Sequence, residues 1–294
     1  MQVTFLAALV ALACAVAWSG FDLTRKKLVE VIEPVPLLAL LTLGQAPLFL
    51  AWASIEGWPE FTHAAYWPPA LGSLALNVVA NLAFIYALKL SPLSLTLPLL
   101  SLTPVFTTLL GVPLLDEVPS PRQWLGIVIV VVGAFLLNLQ ADEKVTVGSV
   151  LRAFVREPGS RWMMLVVFCW SIVPPLDKLA FQQASVPAHA FVLTAGMTVV
   201  MFSVLAVQGR LGDLAHVRRS PKIYAAALLA STAALGSQFI GYGLTAVAFI
   251  ETVKRGVGNV LALVFGRSLF GESVGAAQVG AVVLMAVGVA LILI

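Results

Sequence analysis

The sequence predicts an all-α integral membrane protein of ten transmembrane helices, built from two inverted five-helix repeats. Three observations lead to this prediction: 60% of the 294 residues are hydrophobic, only 11% are charged, and apolar runs of membrane-spanning length recur along the chain. Because backbone polar groups inside lipid must be satisfied within their own segment, these runs should be helices. The composition therefore excludes an ordinary soluble domain.

The apolar runs form ten segments separated by short polar loops. They cover residues 3–23, 34–54, 67–89, 92–115, 123–140, 161–180, 187–207, 222–246, 249–270 and 274–294. The longest polar stretch lies between the fifth and sixth segments. We therefore predict a first repeat at residues 1–140, a linker at 141–160 and a second repeat at 161–294.

Matching residues in the two halves indicate an internal duplication. The matched pairs are Trp18 with Trp170, Ser19 with Ser171, Lys26 with Lys178, Glu117 with Glu272 and Gln123 with Gln278. A repeat with an odd number of spans inserts its second copy upside down. Such inverted copies are related by a pseudo-two-fold axis in the membrane plane, and many secondary transporters bind their substrate near that axis.

Basic residues are distributed unevenly between the two sides of the predicted membrane. Thirteen of the 17 Lys and Arg residues lie on the side reached after odd-numbered segments. The positive-inside rule therefore places the linker in the cytoplasm and both termini outside. We expect a multi-pass protein of a plasma membrane, such as a bacterial inner membrane. The basic residues occur in short clusters between apolar runs, so we expect no nucleic-acid partner.

The cysteines and histidines, which could take part in catalysis or bind a metal, do not form a catalytic or metal-binding pattern. Cys14 and Cys169 lie inside apolar segments, which is typical of packing residues. The histidines at 63, 189 and 216 are in or near loops and lack ligand spacing. No nucleotide-binding loop or metalloprotease motif is present, and the loops are short. The sequence thus predicts no metal, no cofactor and no enzymatic activity.

Several features together resemble the EamA-type drug/metabolite transporter superfamily over essentially the whole chain. They are the duplicated Trp-Ser pair, Pro98 and Pro104 in the fourth segment, and the acidic residues Glu117 and Glu272 that close the fourth and ninth segments. The resemblance implies a ten-helix inverted-repeat fold with a central cavity. Members of this superfamily include exporters of amino acids and other metabolites, sugar-phosphate translocators and nucleotide-sugar transporters.

Lys254 and Arg255 in the ninth segment resemble the Lys-Arg pair with which sugar-phosphate translocators engage the substrate phosphate. A charge at this depth costs on the order of 3 kcal/mol, so both side chains should face the protein interior, a partner or water. Arg255 would supply the planar fork that suits carboxylate or phosphate, and Lys254 a point charge. Alternatively, Glu251 neutralises one of them along the helix, or both extend to the membrane surface.

Trp18 and Trp170 occupy equivalent positions in the two halves. As cavity-lining aromatics they would stack on a flat or apolar part of the substrate. The alternative is a packing or interfacial tryptophan.

Amide side chains complete the predicted substrate-binding set. Asn81 lies one helical turn after Asn77 in the third segment, and Gln238 and Tyr242 are spaced in the same way in the eighth. Such faces should point inward, either to line a substrate site or to join helices by hydrogen bonds. Asn259 in the ninth segment is the last member of the set.

Carboxylates near the ends of segments have two interpretations. Asp22 and Asp177 would each take up a coupling proton if their surroundings favoured the protonated form, or they pair with basic neighbours such as Lys178. Glu117 is predicted to cap the following helix or to pair with Arg122.

The sequence therefore favours a secondary transporter that moves a small polar, anionic metabolite by alternating access. We expect a carboxylated or phosphorylated substrate, a proton or counter-substrate as coupling partner, and a monomer or homodimer in the lipid bilayer. Two alternatives remain: an exporter of neutral or aromatic amino acids, and a lipid-head-group flippase.

Overall fold

The structure, a computed structural model, describes residues 4–56, 63–90, 97–137, 158–270 and 275–293. Within these ranges the chain forms helices and no strands. Most of the predicted linker at 141–160 lies outside the described residues, as does Glu272.

The described residues contain ten α-helices and three 3-10 helices. The α-helices are α1 (Phe5–Leu28), α2 (Pro34–Glu56), α3 (Trp67–Leu90), α4 (Thr103–Leu115), α5 (Pro121–Leu137), α6 (Pro158–Phe181), α7 (Val186–Val207), α8 (Pro221–Leu244), α9 (Val247–Phe270) and α10 (Ala276–Leu293). The 3-10 helices are Ala64–Tyr66, Leu97–Leu102 and Leu211–Arg219.

Six helices among the described residues are long and apolar enough to cross a membrane: α1, α2, α6, α7, α8 and the helix over Ala64–Ala87. Shorter apolar helices cover Leu99–Leu115, Pro121–Ala134 and Gln278–Ile292. The protein is therefore an all-α, multi-pass membrane protein. The count of ten spans stays a prediction.

The helices of the two halves pack in matching pairs. Helix α1 packs against α8 and α9, while its counterpart α6 packs against α3 and α4. Helix α2 packs against α7, and α5 against α10. The counterparts are α1 and α6, α2 and α7, α3 and α8, α4 and α9, and α5 and α10. When each helix is exchanged with its counterpart, the same set of contacts results, as expected for two equivalent halves. The repeat boundaries and the inverted direction of the second copy stay predictions.

Helices α5 and α10 approach each other closely through glycine. A Cβ atom built on Gly126 would lie 2.7 Å from the carbonyl oxygen of Gly288, and one on Gly288 would lie 2.8 Å from the carbonyl oxygen of Gly126. Because any side chain would separate the two backbones, glycine permits this contact.

The turn after α4 brings Glu117 into the protein. Asp116 adopts a left-handed conformation with a φ of 55°, and its backbone N–H bonds to carbonyl groups at the end of α4. Asp tolerates this region better than most residues because its short side chain can hydrogen-bond locally. The reversal ends α4 and leaves the Glu117 side chain 6% exposed.

The loop after α7 is held by an exposed ion-pair network. Arg210 contacts Glu33 at 2.7 Å and Asp213 at 2.7 Å. The hydrogen bonds that Arg210 donates to these two carboxylates raise the pKa of its guanidinium. The network joins the start of α2 to the 3-10 helix Leu211–Arg219.

Candidate functional site

A group of polar residues from α1, α8 and α9 meets inside the protein. This Lys254 cluster comprises Trp18, Gln238, Tyr242, Glu251 and Lys254. The Lys254 Nζ lies 2.5 Å from Glu251 Oε1 and donates to Gln238 Oε1 at 3.1 Å. Gln238 Nε2 donates to the Tyr242 hydroxyl at 2.7 Å, which donates to Glu251 Oε1 at 2.6 Å. Four of the five side chains thus form a closed hydrogen-bonded cycle.

Helical spacing explains how the cluster forms. Gln238 and Tyr242 lie four residues apart on α8, and Glu251 and Lys254 lie three apart on α9, so each pair shares one helix face. Trp18 of α1 closes the group by donating its indole N–H to Gln238 Oε1 at 2.7 Å. The Lys254 Nζ also lies 5.6 Å from the centre of the Trp18 ring, which is a cation–π distance.

Three members of the cluster are buried, and its charges are balanced. Tyr242 is 0% exposed, Glu251 3% and Gln238 7%. The negative charge of Glu251 compensates the positive charge of Lys254, and the neutral groups fill the remaining hydrogen-bonding positions. Of the three interpretations open for Lys254, the structure therefore shows pairing with Glu251.

Arg255, the next residue along α9, is placed differently from Lys254. Its side chain is half-buried, and among the described residues it has neither a hydrogen bond nor an ion pair. The carboxylates of Glu251 and Asp22 act on it electrostatically. Arg255 thus has guanidinium donors that the described part of the protein does not engage.

The other three predicted site residues have partners outside the Lys254 cluster. Trp170 packs against Phe84, with ring centroids 5.7 Å apart, in a separate apolar cluster around α3 and α6. Asn81 donates to the backbone carbonyl one turn earlier at 2.8 Å. Asn259 points its amide at the sulfur of Met285, at 3.8 Å. The structure thus brings together Trp18, Gln238, Tyr242 and Lys254.

A second buried polar group was not predicted from the sequence. This Asp177 cluster comprises Tyr66, Ser73, Asp177 and His189, and it joins α3, α6, α7 and the 3-10 helix Ala64–Tyr66. His189 Nε2 lies 3.1 Å from Asp177 Oδ1, and His189 Nδ1 lies 3.1 Å from the Tyr66 hydroxyl. Ser73 donates a short hydrogen bond to the same Asp177 oxygen.

One expectation about this region was wrong. Asp177 does not pair with Lys178, because adjacent residues on a helix point in different directions. His189 lies in the first turns of α7, close to the loop that precedes this helix, and is fully buried. The sequence offers only one signal for this cluster, a histidine two residues after Pro187, and that signal does not identify a partner.

Glu117 and Lys178 form a third polar contact, at the end of α6 that also carries Asp177. Their charged atoms are 2.7 Å apart, and Lys178 also donates to the backbone carbonyl of Thr245 at 2.6 Å. Glu117 Oε2 accepts the backbone N–H of Val247 at 2.8 Å, so it caps the start of α9. Glu117 therefore caps a helix distant in sequence, instead of the following helix or Arg122.

A small cavity lies beside this contact. It measures about 20 Å³ and is lined in part by Glu117, Gln123 and Thr245. That volume suits about one water molecule and excludes a metabolite. Within the described ranges, no three His, Cys, Asp or Glu side chains are arranged to hold a metal ion.

Comparisons with known proteins agree with this architecture. A solved crystal structure of a protein matches the fold with a TM-score of 0.76 at 16% identity, over 99% of this chain and 98% of that one. At this identity the likeness shows the fold alone. A comparison with curated proteins found no match. Residues 5–139 match the profile of the EamA-like transporter family, so this part of the chain is similar to a family of membrane transporters.

Proposed function

We propose that this protein is a secondary carrier of a small anionic metabolite, carboxylated or phosphorylated, and that Arg255 contacts the anionic group. The match of residues 5–139 to the EamA-like transporter family supports small-molecule transport. The observation that supports an anion is the contrast between Lys254, whose charge Glu251 balances, and Arg255, which has no hydrogen bond or ion pair among the described residues.

The charge balance of α9 favours an anion. Glu251 and Lys254 cancel, so Arg255 leaves one positive charge in excess in the first half of this helix. A charge inside the membrane costs on the order of 3 kcal/mol unless it is compensated. A carboxylate or phosphate would compensate it, and the guanidinium fork can donate two parallel hydrogen bonds to either group.

The Lys254 cluster supplies an ordered surface next to Arg255. Trp18 is half-buried, and the hydrogen bond to Gln238 fixes its indole group. We propose that a bound solute places its anionic group at Arg255 and its remaining part against Trp18. Because the cluster is already hydrogen-bonded, little side-chain entropy would be lost on binding.

An amino acid is the second candidate substrate, and Trp18 is the observation that favours it. An amino acid carries a carboxylate for Arg255, and an apolar or aromatic side chain could rest on the indole face. This candidate differs from the first in the net charge of the solute, which transport measurements can separate.

We further propose that alternating access opens and closes the Glu117–Lys178 contact. This contact joins the end of α4, the end of α6 and the start of α9, so its release would free the end of the helix that carries Arg255. The linker side would face the cytoplasm, as the distribution of basic residues predicts.

Counterflow in reconstituted vesicles tests the proposed substrate class. Purified protein is placed in liposomes loaded with unlabelled malate, glucose 6-phosphate, tryptophan or glucose, and entry of the same labelled solute is followed. We expect counterflow with at least one of the two anions, and none with glucose or in protein-free vesicles. Counterflow with tryptophan alone would favour the second candidate, and counterflow with glucose alone would contradict the proposal.

A further inference from the structure

We propose that the Asp177–His189 pair is the proton-binding site through which a proton gradient drives transport. The proposal rests on the proposed carrier function, which does not itself specify a coupling ion. It starts from a buried ionisable pair that the substrate site leaves unused.

The pair is isolated from water. Asp177 is 1% exposed and His189 is 0% exposed. The imidazole is surrounded by the aromatic rings of Phe181, Tyr66 and Phe239, with centroids at 4.9, 5.8 and 5.7 Å. A proton that binds here therefore changes the charge of a dry environment, where electrostatic effects are stronger than in water.

The charge of the pair requires a proton for balance. With neutral His189, the Asp177 carboxylate carries a negative charge, and the adjacent Lys178 is already paired with Glu117. An uncompensated charge in an apolar interior is costly. One added proton turns the imidazole into an imidazolium and makes the pair neutral overall.

The hydrogen bonds of the cluster can accommodate both states. In the neutral state, His189 Nε2–H donates to Asp177 and Nδ1 accepts the Tyr66 hydroxyl proton. In the loaded state, a proton that enters when the site opens to water occupies Nδ1 and is donated to the Tyr66 oxygen, so the Tyr66 hydroxyl turns its own proton away. The same proton leaves Nδ1 when the site unloads, and no other bond changes.

Packed side chains link this pair to the Lys254 cluster. The Phe239 ring lies 5.7 Å from the His189 ring and 6.2 Å from the Tyr242 ring. Tyr242 in turn donates to Glu251. A shift of His189 on protonation would therefore press on one aromatic residue that also contacts the proposed substrate site.

Other ionisable groups around the pair are already engaged. They are Tyr66 of the 3-10 helix, Tyr242 of α8, Lys178 of α6, Glu117 beside α4 and Glu251 of α9. Both tyrosines act as hydrogen-bond partners, and the other three belong to ion pairs. The charges of Leu211–Arg219 lie beyond the opposite end of α7, about 27 Å away at 1.5 Å per residue.

Nitrogen NMR of His189 tests proton binding without a substrate. The chain has three histidines, so the variant with His63→Gln and His216→Gln leaves His189 as the sole reporter. In lipid nanodiscs we expect its ¹⁵N signals to change from a neutral imidazole with an unprotonated Nδ1 to an imidazolium as the pH falls. The Asp177→Asn variant should lose that transition. An imidazole that stays neutral throughout the pH range of the folded protein would overturn the proposal.

Transport measurements then separate coupling from carriage. Asp177→Asn and His189→Gln should retain malate or glucose 6-phosphate counterflow at equal pH, but should lose accumulation driven by a proton gradient. Glu33→Gln is the control, because it removes a carboxylate from the exposed pair with Arg210. If Asp177→Asn does not fold, as judged by gel filtration, His189→Gln and Tyr66→Phe take its place.

The possible outcomes distinguish this proposal from the carrier function. Gradient-driven accumulation that persists in these variants, or that is missing in the natural protein despite counterflow, would overturn the coupling proposal and leave the carrier function intact. An absence of counterflow with every solute would contradict the carrier function, while the NMR titration would still decide whether the pair binds a proton.

Discussion

Glu251 pairs with Lys254 across one turn of α9, with 2.5 Å between their charged atoms. The two neighbouring basic residues of this helix are therefore not equivalent. Lys254 stabilises a closed hydrogen-bonded cycle, whereas Arg255 stands beside that cycle with no hydrogen bond or ion pair among the described residues. Their substitution should affect different properties of the protein.

Lys254→Ala should lower stability, and Arg255→Ala should not. The first change leaves Glu251, which is 3% exposed, without its cation, and breaking a buried pair in this way costs about 3 kcal/mol. The second change removes a side chain that forms no ion pair with the described residues. Thermal unfolding of both variants in detergent measures the difference.

The combined change of Glu251→Gln and Lys254→Met is the matched control for this experiment. It removes both charges, so it should recover most of the stability lost in Lys254→Ala. Equal melting temperatures for Lys254→Ala and Arg255→Ala would contradict the assignment of Lys254 to the cycle.

Trp18→Phe should weaken substrate affinity. Phenylalanine keeps an aromatic ring but cannot donate to Gln238, so the ring must be ordered when the solute binds, at a cost of about 1 kcal/mol, or about fivefold in affinity. The half-saturation concentration for counterflow measures this effect. Trp52→Phe is the control, since the Trp52 indole donates to exposed Glu56. An equal change in both variants would place Trp18 outside the substrate site.

Lys178→Met should destabilise the protein more than Arg25→Met. Lys178→Met leaves Glu117, which is 6% exposed, as an unpaired buried carboxylate, at a cost of about 3 kcal/mol. The Arg25–Asp22 pair is exposed on both sides, and its loss should cost less than about 1 kcal/mol. Unfolding midpoints for the two variants provide the test, and a larger loss for Arg25→Met would refute it.

Gly126→Ala should destabilise the packing of α5 against α10 by about 1–3 kcal/mol, because the added methyl group would collide with the Gly288 carbonyl. Gly280→Ala in α10 is the matched control. A Cβ atom there meets nothing within 4 Å, so this change should be neutral or slightly stabilising. Unfolding curves that coincide for the two variants would contradict the close contact of the backbones.

Much of the fold and part of the candidate site follow from local patterns in the sequence. Long apolar runs predict α1, α2, α6, α7 and α8 to within a few residues, because lipid imposes helix length and composition. The spacing of Gln238 and Tyr242 predicts a shared inward face, which the structure confirms. The choice between substrate and Glu251 for Lys254 needed the structure, since both are compatible with the spacing.

Contacts between distant segments could not be predicted in the same way. Asp177 accepts a hydrogen bond from Ser73, which is 104 residues away in the sequence. Glu117 accepts the backbone N–H of Val247, which is 130 residues away. No periodic pattern specifies such partners. Internal symmetry also does not predict the neighbours of Trp170. Its position repeats that of Trp18, yet it packs against Phe84 and not against a polar cluster. Duplicated positions retain their place in the fold, while their neighbours diverge.

The most direct test of the account is anion counterflow with Arg255→Ala beside the natural protein, in vesicles of equal protein content. Removing the guanidinium should raise the half-saturation concentration for malate or glucose 6-phosphate about tenfold or more, because a charge-assisted contact contributes about 1.5–3 kcal/mol. Arg255→Ala vesicles that transport the anion with unchanged affinity would contradict the account.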